Sequence, residues 1–128
     1  MSADNKCIAA LYVELMRRER AGGWQCSLDI YKQHIVLHNA AVQGEINIMC
    51  YSHGNDLANA DVKAKCELEV VGLSKPQAYV GPDKFVRDTC VRVDLMIDEI
   101  TKFHEKYKDP KTGKYDRSRF ATALPKAR

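Results

Sequence analysis

Long apolar segments are missing from this 128-residue sequence. No apolar run approaches the roughly 18 residues that a membrane-spanning helix needs, which argues against a helical membrane protein. The first seven residues, Met-Ser-Ala-Asp-Asn-Lys-Cys, also lack the basic segment and apolar core of a secretory signal. We therefore expect a cytoplasmic protein.

Closely spaced cysteines and glycine-rich motifs are missing as well. The five cysteines are odd in number and far apart in the sequence: Cys7, Cys26, Cys50, Cys66 and Cys90. We expect reduced thiols in a reducing compartment, with a Cys50–Cys66 disulfide as the less favoured alternative. There is no phosphate-cradling G-x-x-x-x-G-K loop and no dinucleotide-binding fingerprint. Nothing identifies an enzyme, and we predict no catalytic residue and no cofactor.

Metal-binding patterns are incomplete. His34 and His38 are four residues apart, which in a strand separates their backbones by about 13 Å. No two cysteines have the two-to-four-residue spacing that makes zinc motifs specific. A zinc site would have to draw on six scattered side chains: Cys26, His34, His38, Cys50, His53 and Cys66. We therefore predict no bound metal and interpret Cys50 and Cys66 as small core side chains.

The clearest structural pattern runs from Ile46 to Val71. From Val62 to Val70 apolar and charged residues alternate, which is the period of a strand with one buried face. Ile46, Ile48 and Cys50 supply a matching face, and the turn formers at 53–56 join the two strands. This stretch predicts an antiparallel hairpin with Leu68 and Val70 on its inner face.

The segment from Trp24 to Gln43 fits two structures. Alternation favours strands at about 24–31 and 34–38, whereas Leu28, Tyr31 and Ile35 also fall at helical spacing. We predict two strands, because a lone hairpin is marginally stable without more sheet beside it.

Amphipathic helices flank these strands. The first begins near Ser2 or Asp4 and ends at about Ala21. The second begins at Gly81-Pro82-Asp83 and reaches about Lys108, with an apolar stripe from Val86 through Val93 and Ile100 to Tyr107. The predicted fold is α+β: an N-terminal helix, an antiparallel sheet of three to four strands, and a long C-terminal helix packed on the sheet. We assign residues 1–109 to a single domain and residues 110–128 to a basic C-terminal tail.

Basic residues concentrate at the C-terminal end, where nine Lys or Arg face three acidic residues from position 102 onward. Cations neutralise phosphates, and exposed aromatic rings stack on unpaired bases. We therefore predict a non-enzymatic protein that binds DNA or RNA through this tail and a sheet or helix margin. The candidate binding residues are Lys106, Lys108, Lys111, Lys114, Tyr115, Arg117, Arg119 and Phe120.

Two other functions stay open. One is a protein-interaction or assembly module, as a homo-oligomer, that uses the stripe of the long helix or a sheet edge. The other is a small-molecule binder or enzyme with a pocket between sheet and helix, lined by Trp24, Cys66 and His104. A tail that only improves solubility would explain the same charge.

The order of helix, antiparallel strands and helix resembles in outline that of double-stranded-RNA-binding domains and of cystatin-like folds. The Lys-Lys-x-Ala-Lys helix start typical of the former is absent, since residues 81–87 offer only two spaced cations, Lys84 and Arg87. The resemblance concerns element order alone and implies no functional residue.

Overall fold

The computed structural model describes residues 6–18, 23–54, 56–67, 69–75, 78–116 and 118. Its helices and strands follow in the order α1 (Lys6–Arg17), β1 (Gln25–Asp29), β2 (His34–Asn39), β3 (Gly44–His53), β4 (Leu57–Cys66), β5 (Glu69–Ser74) and α2 (Pro82–Tyr107). The strands form one antiparallel sheet in the order β1-β2-β3-β4-β5. The predicted α+β fold is confirmed, except that the sheet has five strands rather than three to four.

Both helices pack against the same face of the sheet. Alternate residues of the central strands point to this face, among them Ile35, Ile48 and Val62, which are fully buried. α2 lies mainly across β4 and β5, and α1 packs against α2 and β1. The Arg18 guanidinium donates a hydrogen bond of 2.8 Å to the Asp94 carboxylate, which ties the helices together. The opposite face of the sheet is not covered by either helix.

The two strands predicted at about 24–31 and 34–38 are found at residues 25–29 and 34–39, and the helical alternative is wrong. β1 pairs with β2 from Gln25 opposite His38 to Asp29 opposite His34. A single 3₁₀ turn, Ala40–Val42, follows β2. The Asn39 side chain caps this turn by accepting a hydrogen bond from the Ala41 N–H at 2.9 Å.

The strand predicted from Val62 to Val71 is divided in two. β4 ends at Cys66, Glu67 adopts a left-handed conformation (φ 54°), and β5 begins at Glu69 and runs back along β4. Because Cys66 pairs with Glu69, the residues that follow the reversal point to the opposite faces of the sheet from those that a continuous strand would give them. Val70 therefore lies opposite Lys65 and is 46% exposed, so its predicted burial is wrong. Leu68 lies outside the described residues.

The long helix packs closely on the sheet. Val93 and Ile100 of the predicted stripe are fully buried. At Gly44 an added Cβ would lie 2.5 Å from Ile100 Cγ2, so β3 approaches the helix to a distance that only glycine permits. The predicted end of α1 at Ala21 lies outside the described residues. Neither of the two described helices has the length and apolar character needed to cross a membrane.

Candidate functional site

The face of the sheet that the helices leave uncovered, called the open face below, carries a mixed set of polar, aromatic and basic side chains. In β3 it presents Asn47, Met49 and Tyr51, because the residues between them point into the core. The pairing of β3 with β4 sets Lys63 opposite Asn47 and Asp61 opposite Met49. Side chains that are distant in sequence therefore meet on one surface.

A depression of about 430 Å³ lies on this open face. This volume falls within the roughly 300–1,000 Å³ typical of ligand sites. Four strands and the residue after β5 contribute its lining: His34, Asn47, Met49, Tyr51, Asp61, Lys63, Leu73 and Lys75. All of these residues except Lys75 lie in regular strands, so the sheet rather than a loop holds their side chains.

Two hydrogen bonds between strands fix its polar groups. The Tyr51 hydroxyl donates to Asp61 Oδ2 at 2.9 Å, and His34 Nε2 lies 3.0 Å from Asn47 Oδ1. The hydrogen bond to Asp61, together with burial, raises the pKa of Tyr51 above its ordinary value. The phenol is therefore protonated, and donating, at neutral pH.

One carboxylate oxygen of Asp61 has no hydrogen-bond partner among the described residues. Its Oδ1 atom is shielded from solvent and accepts no hydrogen bond from the described residues. A carboxylate oxygen in this condition is unfavourable unless a donor or a cation compensates it. Lys63 and Lys75 line the same depression, and a ligand donor would supply the missing hydrogen bond.

Metal-binding groups are not gathered in the part of the chain that the structure describes, where no three His, Cys, Asp or Glu side chains are close enough to hold an ion. His34 and His38 lie on the open face, whereas Cys50 and Cys66 are buried on the core side. Cys50 pairs with Ala60 and Cys66 with Gly44, so the register separates the two thiols and excludes the disulfide. Burial raises the pKa of the Cys50 thiol to about 12, which keeps it protonated and unreactive.

The basic residues predicted to bind nucleic acid are partly described. Lys106, Lys111 and Lys114 are exposed at the end of α2 and in the turn that follows. Lys108 forms an ion pair with Glu105 at 2.8 Å, which lowers the pKa of that carboxyl group. Three of the predicted residues lie outside the described residues: Arg117, Arg119 and Phe120.

The structure contradicts the prediction that Tyr115 is an exposed stacking residue. Its side chain is only 7% exposed, and its hydroxyl donates to the Val42 carbonyl at 3.1 Å. Its backbone N–H donates to Gln43 Oε1 at 3.1 Å, and its ring meets Phe103 and His104 edge-on. The turn between α2 and Tyr115, which we assigned to the tail, therefore packs on the domain.

The pocket predicted between sheet and long helix is occupied by packed side chains. Cys66 is fully buried, and His104 is 8% exposed with its Nε2 atom 2.6 Å from the Gly113 carbonyl oxygen. Trp24 packs against the same core. These three residues therefore stabilise the fold.

Comparisons with known proteins add no assignment: no family model, no curated protein and no solved structure matches this chain. The candidate site follows from geometry alone, and most of it was not predicted from the sequence. Tyr51 and Asn47 alternate with core residues in β3, a signal that they face outward. Their grouping with Asp61 and Lys75 requires the sheet register.

Proposed function

We propose that this protein binds single-stranded nucleic acid on the open face of its sheet. The observation that carries the proposal is that one depression combines the Tyr51 ring with the polar groups of Asn47 and Asp61 and with two lysines, Lys63 and Lys75. Unpaired bases stack on aromatic side chains and form hydrogen bonds through their edges, while cations hold the phosphates. A duplex hides the faces and the Watson–Crick edges of its bases, so we expect single strands to bind more tightly.

The depression also offers apolar surface on which the base of a nucleotide can lie. Tyr51 and Met49 are each 38% exposed and Leu73 is 47% exposed, so they offer a partly apolar floor to a base. The hydrogen bond from Tyr51 to Asp61 holds the ring in place, which reduces the entropy lost when a base stacks on it.

The basic C-terminal sequence begins close to this face. Tyr115 is bonded to Gln43, and Gln43 borders a second depression that it shares with His38 and Lys65 of the open face. The residues after Tyr115 include four cations within the last twelve positions: Arg117, Arg119, Lys126 and Arg128. We assign to them additional contacts with phosphates.

Fluorescence anisotropy of a labelled oligonucleotide tests the stacking contact. Tyr51→Ala should weaken single-strand binding by about 1–3 kcal/mol, whereas Tyr51→Phe should retain most of the affinity because it keeps the ring. Tyr31→Ala is the matched control, since Tyr31 is 96% exposed and lies in the turn between β1 and β2. Equal affinity of the wild type and Tyr51→Ala would contradict the open face as the binding surface.

The salt dependence of the same titration tests the phosphate contacts. Lys63→Gln should reduce the slope of log affinity against log salt by about 0.7, the value for one phosphate on a single strand. Replacing Arg119, Lys126 and Arg128 by Gln in the full chain should reduce the slope by about 2. No binding of DNA or RNA at low salt would refute the proposed function.

A specific observation favours a second candidate function, self-association through the helices. Val13 and Met16 of α1 and Val91 and Leu95 of α2 are between 51% and 60% exposed. A groove of about 800 Å³ lies between the exposed sides of α1 and α2, and Val13 and Val91 are among the residues that line it. The stripe first considered for this role is unsuitable, because its central residues are buried against the sheet.

Sedimentation equilibrium after nuclease treatment tests self-association. A mass above that of the monomer, restored to the monomer value by Val91→Glu and not by Lys102→Glu, would support it. A monomer at all protein concentrations would exclude it.

A further inference from the structure

A second pocket lies on the helix side of the sheet, at the β5 edge. It has a volume of about 360 Å³ and is bordered by α2, by Asn59 of β4 and by the segment from Ala78 to Val80. Val80 pairs with Ala58, so this segment extends the sheet beside β4. The pocket therefore lies between α2, β4 and this segment.

Positive charge predominates in its lining. Lys75, Lys84 and Arg92 contribute three cations, and Asp88 is the one acidic residue among the described lining residues. Lys84 and Asp88 form an exposed ion pair at 3.4 Å. Three cations against one carboxylate leave the pocket with an excess of two positive charges.

Arg92 is the fixed cation of this pocket. Its Nη1 atom donates to the Ala60 carbonyl at 2.7 Å and to the Lys75 carbonyl at 3.4 Å, which ties α2 to β4 and to the end of β5. Burial lowers the pKa of the guanidinium, and the nearby carboxylates of Asp88 and Asp61 act in the opposite direction, but no described carboxylate lies within the 4 Å of a direct ion pair with Arg92. A half-buried cation that no carboxylate contacts directly favours an anionic ligand.

Thr89 supplies an independent indication. It lies in the wall of the pocket, is fully buried, and its hydroxyl has no hydrogen-bond partner within the described part of the chain. Buried hydroxyl groups almost always have a partner, and those without one call for an explanation. A threonine in a helix has two accessible rotamers, so this hydroxyl can turn toward a bound acceptor.

We infer that this pocket binds a small phosphomonoester through Lys84, Thr89 and Arg92. A dianionic phosphate matches the excess of two positive charges better than a single carboxylate does. The volume exceeds that of a phosphate group, and Val80, Phe85 and Val91 offer apolar surface to the rest of the ligand. The inference does not depend on nucleic-acid binding, because among its charged lining residues only Lys75 also lines the depression on the open face.

Titration of the full chain with phenyl phosphate, followed by ³¹P line broadening and calorimetry at constant ionic strength, tests the inference. We expect saturable binding that is tighter than that of inorganic phosphate, because the phenyl ring adds apolar contact. Lys84→Gln should weaken it about tenfold, the effect expected for one charge-assisted contact. Lys102→Gln, at an exposed position in the C-terminal half of α2, is the matched control.

Two further variants separate a ligand contact from a structural role. Thr89→Val keeps the shape of the side chain and removes only the hydroxyl, so it should fold normally and bind phenyl phosphate several-fold more weakly. Tyr51→Ala should leave phosphate binding unchanged even if nucleic-acid binding is lost. No saturable binding, or equal affinity of the Lys84→Gln and Lys102→Gln variants, would overturn the inference.

Discussion

Substitution of Tyr115 by alanine measures most directly how much the segment after α2 contributes to the stability of the domain. The ring is 7% exposed, its centroid lies 5.8 Å from that of Phe103 and 5.3 Å from that of His104, and its hydroxyl is bonded to the Val42 carbonyl. Truncation of a buried aromatic residue to alanine costs about 3–5 kcal/mol. We expect a loss in this range for Tyr115→Ala.

The contributions of the Tyr115 hydroxyl and of its ring to stability can be measured separately. Tyr115→Phe keeps the ring contacts and loses the hydrogen bond to the Val42 carbonyl, so it should cost only about 0.5–1.5 kcal/mol. Tyr31→Ala, at a position 96% exposed, should change the stability by less than about 0.5 kcal/mol. The order of stability should therefore be wild type and Tyr31→Ala, then Tyr115→Phe, then Tyr115→Ala.

Urea denaturation followed by far-ultraviolet circular dichroism measures these differences from the transition midpoint at unchanged slope. A cost below about 1 kcal/mol for Tyr115→Ala, smaller than the range for buried aromatic residues, would refute the reasoning. It would mean that the segment after α2 contributes little to the fold. The measurement also matters for the nucleic-acid experiments, because removing Tyr115 with the tail would confuse lost stability with lost phosphate contacts.

Three further outcomes are expected. Gly44→Ala should cost about 1–3 kcal/mol in urea denaturation because its Cβ would meet the stiff Ile100 side chain at 2.5 Å, and Gly72→Ala should cost less because it meets the flexible end of Met96 at 2.9 Å. The Cys50 pKa is raised to about 12, so its contribution to stability is complete below about pH 8.5 and is lost as the pH rises toward 12, by up to about 1.4 kcal/mol per pH unit. Cys50→Ala should flatten this alkaline loss, and an unchanged pH profile would contradict the assignment. All five thiols should react with a thiol reagent in denaturant without prior reduction, and Cys26 should react first in the native protein because the other four are buried.

The sequence predicts those parts of the fold that depend on local alternation. β3 and the first half of the predicted second strand show it clearly, and so does the stripe of α2. The reversal after Cys66 could not be predicted from the sequence. Glu67 makes the turn by adopting a left-handed backbone conformation, which its residue type does not indicate. In the sequence, apolar and charged residues continue to alternate past Cys66, although the chain reverses its direction there.

The candidate sites depend on contacts that no local pattern contains. The hydrogen bond from Tyr51 to Asp61 joins residues whose meeting is set by the register of β3 with β4. The burial of Tyr115 depends on Val42, 73 residues earlier in the chain. A basic neighbourhood made Tyr115 look like a surface aromatic, and only the tertiary structure reveals its partner.

The strand order has a consequence for the path by which this chain folds. Each strand pairs with the next one in sequence, so the sheet can grow by adding one short hairpin at a time, and each closure loses little chain entropy. The bond between Arg18 and Asp94 spans 76 residues and can form only after the long helix has docked. We therefore expect nucleation in the central hairpin and late attachment of both chain ends. Core substitutions in β3 or β4 should slow folding, whereas loss of the Arg18–Asp94 bond should mainly accelerate unfolding.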